Sequence, residues 1–153
     1  MSTSHRLIRL TRTVVVALAA QFLLGIWVNL FGSFPRTRDL VVALAYGGDP
    51  VLTAHYALAA ILVALGSAIL VGSMHPTASR ALRWMALGGL LSILWASASG
   101  IAFVESGFAD NLESFSMAVA FIAATTFYGV AQAVMGPEAL SGRPQDAPGG
   151  SAR

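Results

Sequence analysis

Four apolar runs, at about 13–31, 52–73, 84–104 and 115–135, make up most of this chain, and none contains Asp, Glu, Lys or Arg. Each is close to the roughly 20 residues that an α-helix needs to cross about 30 Å of hydrocarbon. Hydrophobic residues are 56% of the chain and charged residues only 10%, well below the quarter or so usual in a soluble domain. A soluble fold of 153 residues would have to hide that surface in one small core, whereas lipid solvates it. The expected class is all-α: a polytopic membrane protein with a four-helix transmembrane bundle.

The arginines set an orientation. Arg6, Arg9 and Arg12 lie in a basic leader (1–12), Arg80 and Arg83 lie between spans two and three, and Arg143 and Arg153 follow span four. Only Arg36 and Arg38 fall on the opposite side, with Glu105, Asp110 and Glu113. Basic residues mark the cytoplasmic face, so both termini are expected in the cytoplasm and the protein in the cell (plasma) membrane. The pI of 9.7 reflects a net charge of only +2 beside the spans, which suits membrane anchoring and not nucleic acid. The first apolar run is longer than a signal-peptide core and lacks a small-x-small cleavage site after it, so it is read as a helix. With no cysteine, disulfides and thiolate metal sites are excluded.

The first external connection, 32–51, contains the short apolar stretch Asp39-Leu40-Val41-Val42-Ala43-Leu44-Ala45-Tyr46 before Gly47-Gly48. Asp39 suits a helix cap and the glycines a stop. Such a helix would lie at the outer membrane surface, the preferred reading, or fold over the bundle as a lid. The tail, 136–153, is rich in Pro, Gly, Ser and Ala and is expected to be disordered in the cytoplasm. Ala60, Ala64, Ala68 and Gly72 in span two form a small-residue stripe, as do Gly88, Ser92, Ala96 and Gly100 in span three. Such stripes let helices approach closely in lipid. With short connections they predict a compact bundle of antiparallel neighbours.

The intramembrane polar groups are few. Gln21, Gly25 and Asn29 share one face of span one, either as interhelical hydrogen-bonding groups or as the polar wall of a cofactor pocket. His55 is the one side chain within the spans that titrates near neutrality, about 5 Å inside the outer end of span two by helix rise. It either hydrogen-bonds at the interface or serves as a metal ligand. Met117 falls at the same depth in span four. Setting His55-Tyr56-Ala57-Leu58-Ala59-Ala60-Ile61 over Met117-Ala118-Val119-Ala120-Phe121-Ile122, and Gly25-Ile26-Trp27 over Ser92-Ile93-Leu94-Trp95, gives a parallel repeat that would face His55 to Met117. A haem b between them, with both as metal ligands, is geometrically sensible; packing is the ordinary role of such a methionine. His75 lies about 30 Å from His55 by the same rise and His5 lies in the leader, so neither joins that site.

Gln21-Phe22-Leu23-Leu24-Gly25-Ile26-Trp27-Val28-Asn29-Leu30, followed by Ala54-His55-Tyr56-Ala57-Leu58-Ala59, resembles one half of the haem A synthase family. That family consists of eight-span proteins built of two four-helix bundles, with haem-binding histidines near the outer ends of the second and fourth helices of each. The resemblance implies a haem-binding bundle, or a relic of one, over roughly 12–135. The chain departs from the family's catalytic half: Leu52 stands where a glutamate precedes the histidine, Tyr56 where an arginine follows it, and Met117 is nearest to the fourth-helix histidine. The loop cysteine pair is absent. No apparatus for haem hydroxylation is visible, so an enzyme is not expected. The expected function is a small membrane protein of haem A synthase-like fold binding haem b through His55, Met117, Gln21 and Asn29, for haem handling or electron transfer. The alternative is a cofactor-free accessory or assembly subunit, partnered with a respiratory-chain component, another membrane protein or a second copy. A proton-coupled carrier would want intramembrane carboxylates, which the spans lack.

Overall fold

A computed structural model describes residues 3–45, 48–76 and 78–140. Among these the chain is entirely helical, with α1 over Thr3–Phe31, α2 over Leu40–Leu44, α3 over Pro50–Ser73, α4 over Arg80–Glu105 and α5 over Asn111–Leu140. Four of the helices, all but α2, are long and apolar enough to cross a membrane. Their continuity has a simple cause: in hydrocarbon every backbone N–H and C=O must be satisfied within the segment.

The helix ends are written in polar side chains. The Asp49 carboxylate accepts from the N–H groups of Val51 and Leu52 at the start of α3, with Pro50 in the first turn, and Ser79 accepts from Leu82 N–H at the start of α4. Asp110 accepts from Leu112 N–H at 2.8 Å as α5 begins. These groups satisfy donors that the first turn leaves without intrahelical partners. The basic leader is helical from Thr3 on, continuous with the first span in α1. At the other terminus α5 runs to Leu140, into the segment read as a disordered tail. The rest of that tail, 141–153, lies outside the described residues.

The long helices form a ring in the order α1, α3, α4, α5, with α5 closing on α1 and the α4/α5 seam the most extensive. Sequential spans are therefore neighbours, as expected, and α3 faces α5 across the diagonal. The start of α1, the α3–α4 turn and the far end of α5 share one end of the bundle (the terminal end). The α1–α3 connection and the α4–α5 turn share the other (the loop end).

The core sits toward the terminal end, around the fully buried Tyr128 with Val14, Leu18, Leu62, Ile69, Ala86, Ile93 and Ala124. Tyr128 fits because two glycines make room for it. A Cβ at Gly89 would lie 2.6 Å from its ring, and one at Gly66 would lie 2.8 Å from its hydroxyl. Gly88 likewise lies under Phe127, and Gly72 under Leu7. Polar ties add to this: Gln132 donates to the Thr11 carbonyl, and the Arg83 guanidinium donates to the Ser73 carbonyl.

The two small-residue stripes behave differently. That of α4 packs inward, with Ser92 buried and Gly88 and Gly100 against Phe127 and Met117. That of α3 divides: Ala64 and Ala68 are exposed on the bundle's outside, Ala60 is exposed but borders a cavity at the loop end, and Gly72 packs under Leu7, while Leu62, Gly66, Ile69 and Ser73 face the core. The physical reason is Tyr128. It needs Gly66 at the seam, which rotates Ala64 and Ala68 outward.

Candidate functional site

Toward the loop end the ring opens into a cavity of about 530 Å³, within the size range of small-molecule and cofactor sites. Its walls come from α1, α3, α4 and α5, and no Asp, Glu, Lys or Arg is among its lining residues. Small residues on facing helices, among them Ala59 on α3, Ala96 and Gly100 on α4 and Ala118 on α5, leave the space unfilled.

All four residues singled out from the sequence line this cavity. Gln21 and His55 are brought together across the α1/α3 seam: the Gln21 amide nitrogen lies 3.3 Å from His55 Nε2. An amide nitrogen only donates, so Nε2 accepts and a neutral imidazole carries its hydrogen on Nδ1. Gly25 lets the ring dock against α1, since a Cβ there would lie 3.2 Å from His55 Cε1 and 3.8 Å from Nδ1. Met117 comes from the diagonal helix, its sulfur beside Gly100. Asn29 is exposed, near the α1 end, so the Gln21–Gly25–Asn29 face is polar packing at one end and cavity rim at the other. His75 and His5 are exposed near the terminal end.

The loop end is closed by groups that no periodicity announces. The α1–α3 connection turns Phe34 inward, where it stacks on Phe108 at 4.7 Å and meets Phe103 edge-on at 5.9 Å. All three rings line the cavity. Phe108 is held at φ 62° after Gly107 at φ 76°. A left-handed backbone at a bulky residue is costly and persists only where its surroundings hold it. Here the aromatic cluster holds it.

Helix α2 lies over the same end. Asp39 caps it through Val41 and Val42 N–H, as expected. Its Leu40 and Leu44 line the cavity, and Ala43 is buried. The helix thus borders the cavity with Leu40 and Leu44 while Val41 and Val42 are exposed outward. The helix ends at Leu44, before the glycine pair, and Gly47 is outside the described residues. Asp49 fastens the connection, accepting from Ser33 N–H at 3.1 Å as well as capping α3. These backbone donors, that of Ser33 foremost, hold the Asp49 carboxyl below its ordinary pKa.

Buried polar atoms without a partner gather at this cavity. Among the described residues there are five: Gln21 Oε1, His55 Nδ1, Tyr56 Oη, Thr125 Oγ1 and Tyr128 Oη. The first three belong to cavity-lining residues. Tyr56 was legible only as a departure from the haem A synthase pattern, because its place beside the cavity depends on how α3 is rotated. A further polar seam joins α4 and α5, where Trp95 Nε1–H donates to Ser116 Oγ at 2.9 Å and Ser99 Oγ pairs with the same hydroxyl at 2.9 Å. No group of three or more His, Cys, Asp or Glu suited to a metal occurs among the described residues. No family model, curated protein or solved structure matches the chain.

Proposed function

We propose that this chain is an integral membrane protein that binds a lipophilic ligand or cofactor in its loop-end cavity. The carrying observation is the 530 Å³ apolar cavity with its few polar groups gathered around Gln21, His55 and Tyr56. Sites for small molecules combine these features: an apolar wall for affinity and a few placed polar groups for orientation. The terminal end is assigned to the cytoplasm of the cell, since five arginines of the described chain lie there against Arg36 and Arg38 at the loop end.

Haem b for haem handling or electron transfer is the occupant that the resemblance to the haem A synthase family implies. The apolar lining and the Met117 sulfur suit it. The imidazole as placed does not, because Nε2 accepts from Gln21 and Nδ1 lies against α1 at Gly25. Nor does any charged residue line the walls to meet its carboxylates. Haem ligation therefore requires His55 to leave Gln21. The test is an oxidised and dithionite-reduced spectrum of the detergent-purified chain after haem loading, with mass spectrometry of the extracted ligand. A haem spectrum lost in His55→Ala supports haem. Another lipophilic molecule that co-purifies with wild type, and is lost in Ala96→Leu, supports the cavity with a different occupant. An empty protein that binds nothing sinks the proposal.

A second reading, a cofactor-free accessory or assembly subunit, is favoured by the outward alanines of α3. Ala64 and Ala68 would let a helix of a respiratory-chain component or a second copy approach closely. On this reading Ala64→Leu disrupts the assembly while His55→Ala leaves it intact, measured by crosslinking in membranes.

A further inference from the structure

We infer that the cavity selects an uncharged, lipid-soluble ligand bearing a carbonyl oxygen, of the quinone type, with that oxygen at the Gln21–His55–Tyr56 corner. This rests on the cavity being a binding site, and it specifies the ligand from three independent features of the walls.

The first is charge. An ionised head inside the cavity would meet no opposite charge on its lining, and an unpaired charge in an apolar site is strongly disfavoured. The second is hydrogen-bond valence. With Nε2 accepting from Gln21, His55 offers an Nδ1 hydrogen, and Tyr56 offers a hydroxyl hydrogen. Neither has an acceptor among the described residues. Two donors on successive residues of α3 call for an acceptor oxygen, and a carbonyl with two lone pairs serves both or either. The donors sit in the wall and not in the open space, and the His55 ring already fills the room beside Gly25, so the ligand engages them only as the imidazole and the Tyr56 hydroxyl turn toward the cavity. Gln21 Oε1 remains to accept from a ring hydroxyl, which is what reducing a quinone carbonyl produces. The third is the apolar rim: Phe34, Phe103, Phe108 and the α2 residues Leu40 and Leu44 line the loop end, so a ligand that fits there is one that also dissolves in the bilayer.

The same carbonyl chemistry is found in lipid esters, so the experiment has separate arms. The full chain in nanodiscs would be titrated with a short-chain ubiquinone analogue, a naphthoquinone, a diacylglycerol and haem b. Binding would be read by thermal midpoint and, for the quinones, by the infrared carbonyl stretch with isotope-labelled ligand. Expected are saturable quinone binding, a carbonyl band shifted to lower frequency, and about a tenfold weakening in Tyr56→Phe. That weakening is the size expected for one hydrogen bond. Gln21→Leu should also reduce the band shift. Tyr56→Phe removes only a hydroxyl without a partner, so the fold is kept and a loss of binding is interpretable. Quinone binding with an unshifted band, or unaffected by both variants, overturns the inference, as does binding of diacylglycerol or haem b alone. Those outcomes leave the cavity's role as a binding site standing. Failure of all four ligands overturns both.

Discussion

The terminal half of this bundle is solid and the loop half is hollow, though both are assembled from the same small and aliphatic residues. In the solid half the gaps opposite three glycines receive large rigid rings: Tyr128 enters between Gly66 and Gly89, and Phe127 covers Gly88. In the hollow half Gly100 meets only the edge of Met117, and Gly25 only the edge of His55. Small residues on facing helices are therefore ambiguous. They mark a tight seam where a partner supplies bulk and a cavity where none does.

The largest expected effect comes from blocking the solid half. Gly89→Ala places a methyl group against the Tyr128 ring, with no flexible end to yield, and should destabilise the fold by about 1–3 kcal/mol. Unfolding in mixed micelles would measure this. Tyr128→Phe is the control. Its hydroxyl has no partner, so removing it should leave stability unchanged or raised. A large loss there would mean that the hydroxyl is paired in the membrane.

Filling the hollow half should do the reverse. Ala96→Leu occupies cavity space and is expected to keep or raise thermal stability while abolishing ligand-dependent stabilisation. If this variant unfolds, the cavity walls are as rigid as the packed half, and the contrast fails.

A third measurement separates the loop-end clasp from the helices it joins. Asp49 has a lowered pKa, so its stabilisation is full above the ordinary carboxylate pKa and is lost as pH falls through the depressed value. The wild-type melting temperature should therefore drop in acid, while Asp49→Asn, lower at neutral pH, should lose less. Parallel curves would assign the acid sensitivity to other carboxylates.

The smallest effect is expected at the α4/α5 polar seam. Ser116→Ala removes the acceptor of Trp95 and the partner of Ser99. Interhelical hydrogen bonds in membranes average roughly 0.6 kcal/mol, so stability should change little while Trp95 fluorescence shifts. A shift in the ligand affinity as well would connect this seam to Met117, the next residue.

The spans and the fold class were legible because lipid imposes a one-dimensional rule: enough consecutive apolar residues, without charge, to cross. The cap at Asp39 was legible because a cap is a contact over two or three residues; those at Asp49 and Ser79 are equally local but emerged only with the structure. The candidate site was legible in part. Gln21, Asn29, His55 and Met117 stand out as scarce polar or soft groups in apolar helices, and all four line one cavity. Phe34, Phe108 and Leu44 carry no such signal, since apolar residues in connections or a short helix have many possible neighbours.

What the sequence determined by itself was therefore the four-span helical class and the short list of groups able to do chemistry. Only the tertiary structure decided which faces meet. It turned Ala64 and Ala68 of α3 outward and the glycines of α4 inward. It spent His55 Nε2 on Gln21, and it left the loop half unfilled. The reason is that helix formation in lipid is satisfied within each segment, whereas helix rotation is set by a few large side chains finding room. Here Tyr128 between two glycines fixes the rotation of α3 and α4, and with it the cavity.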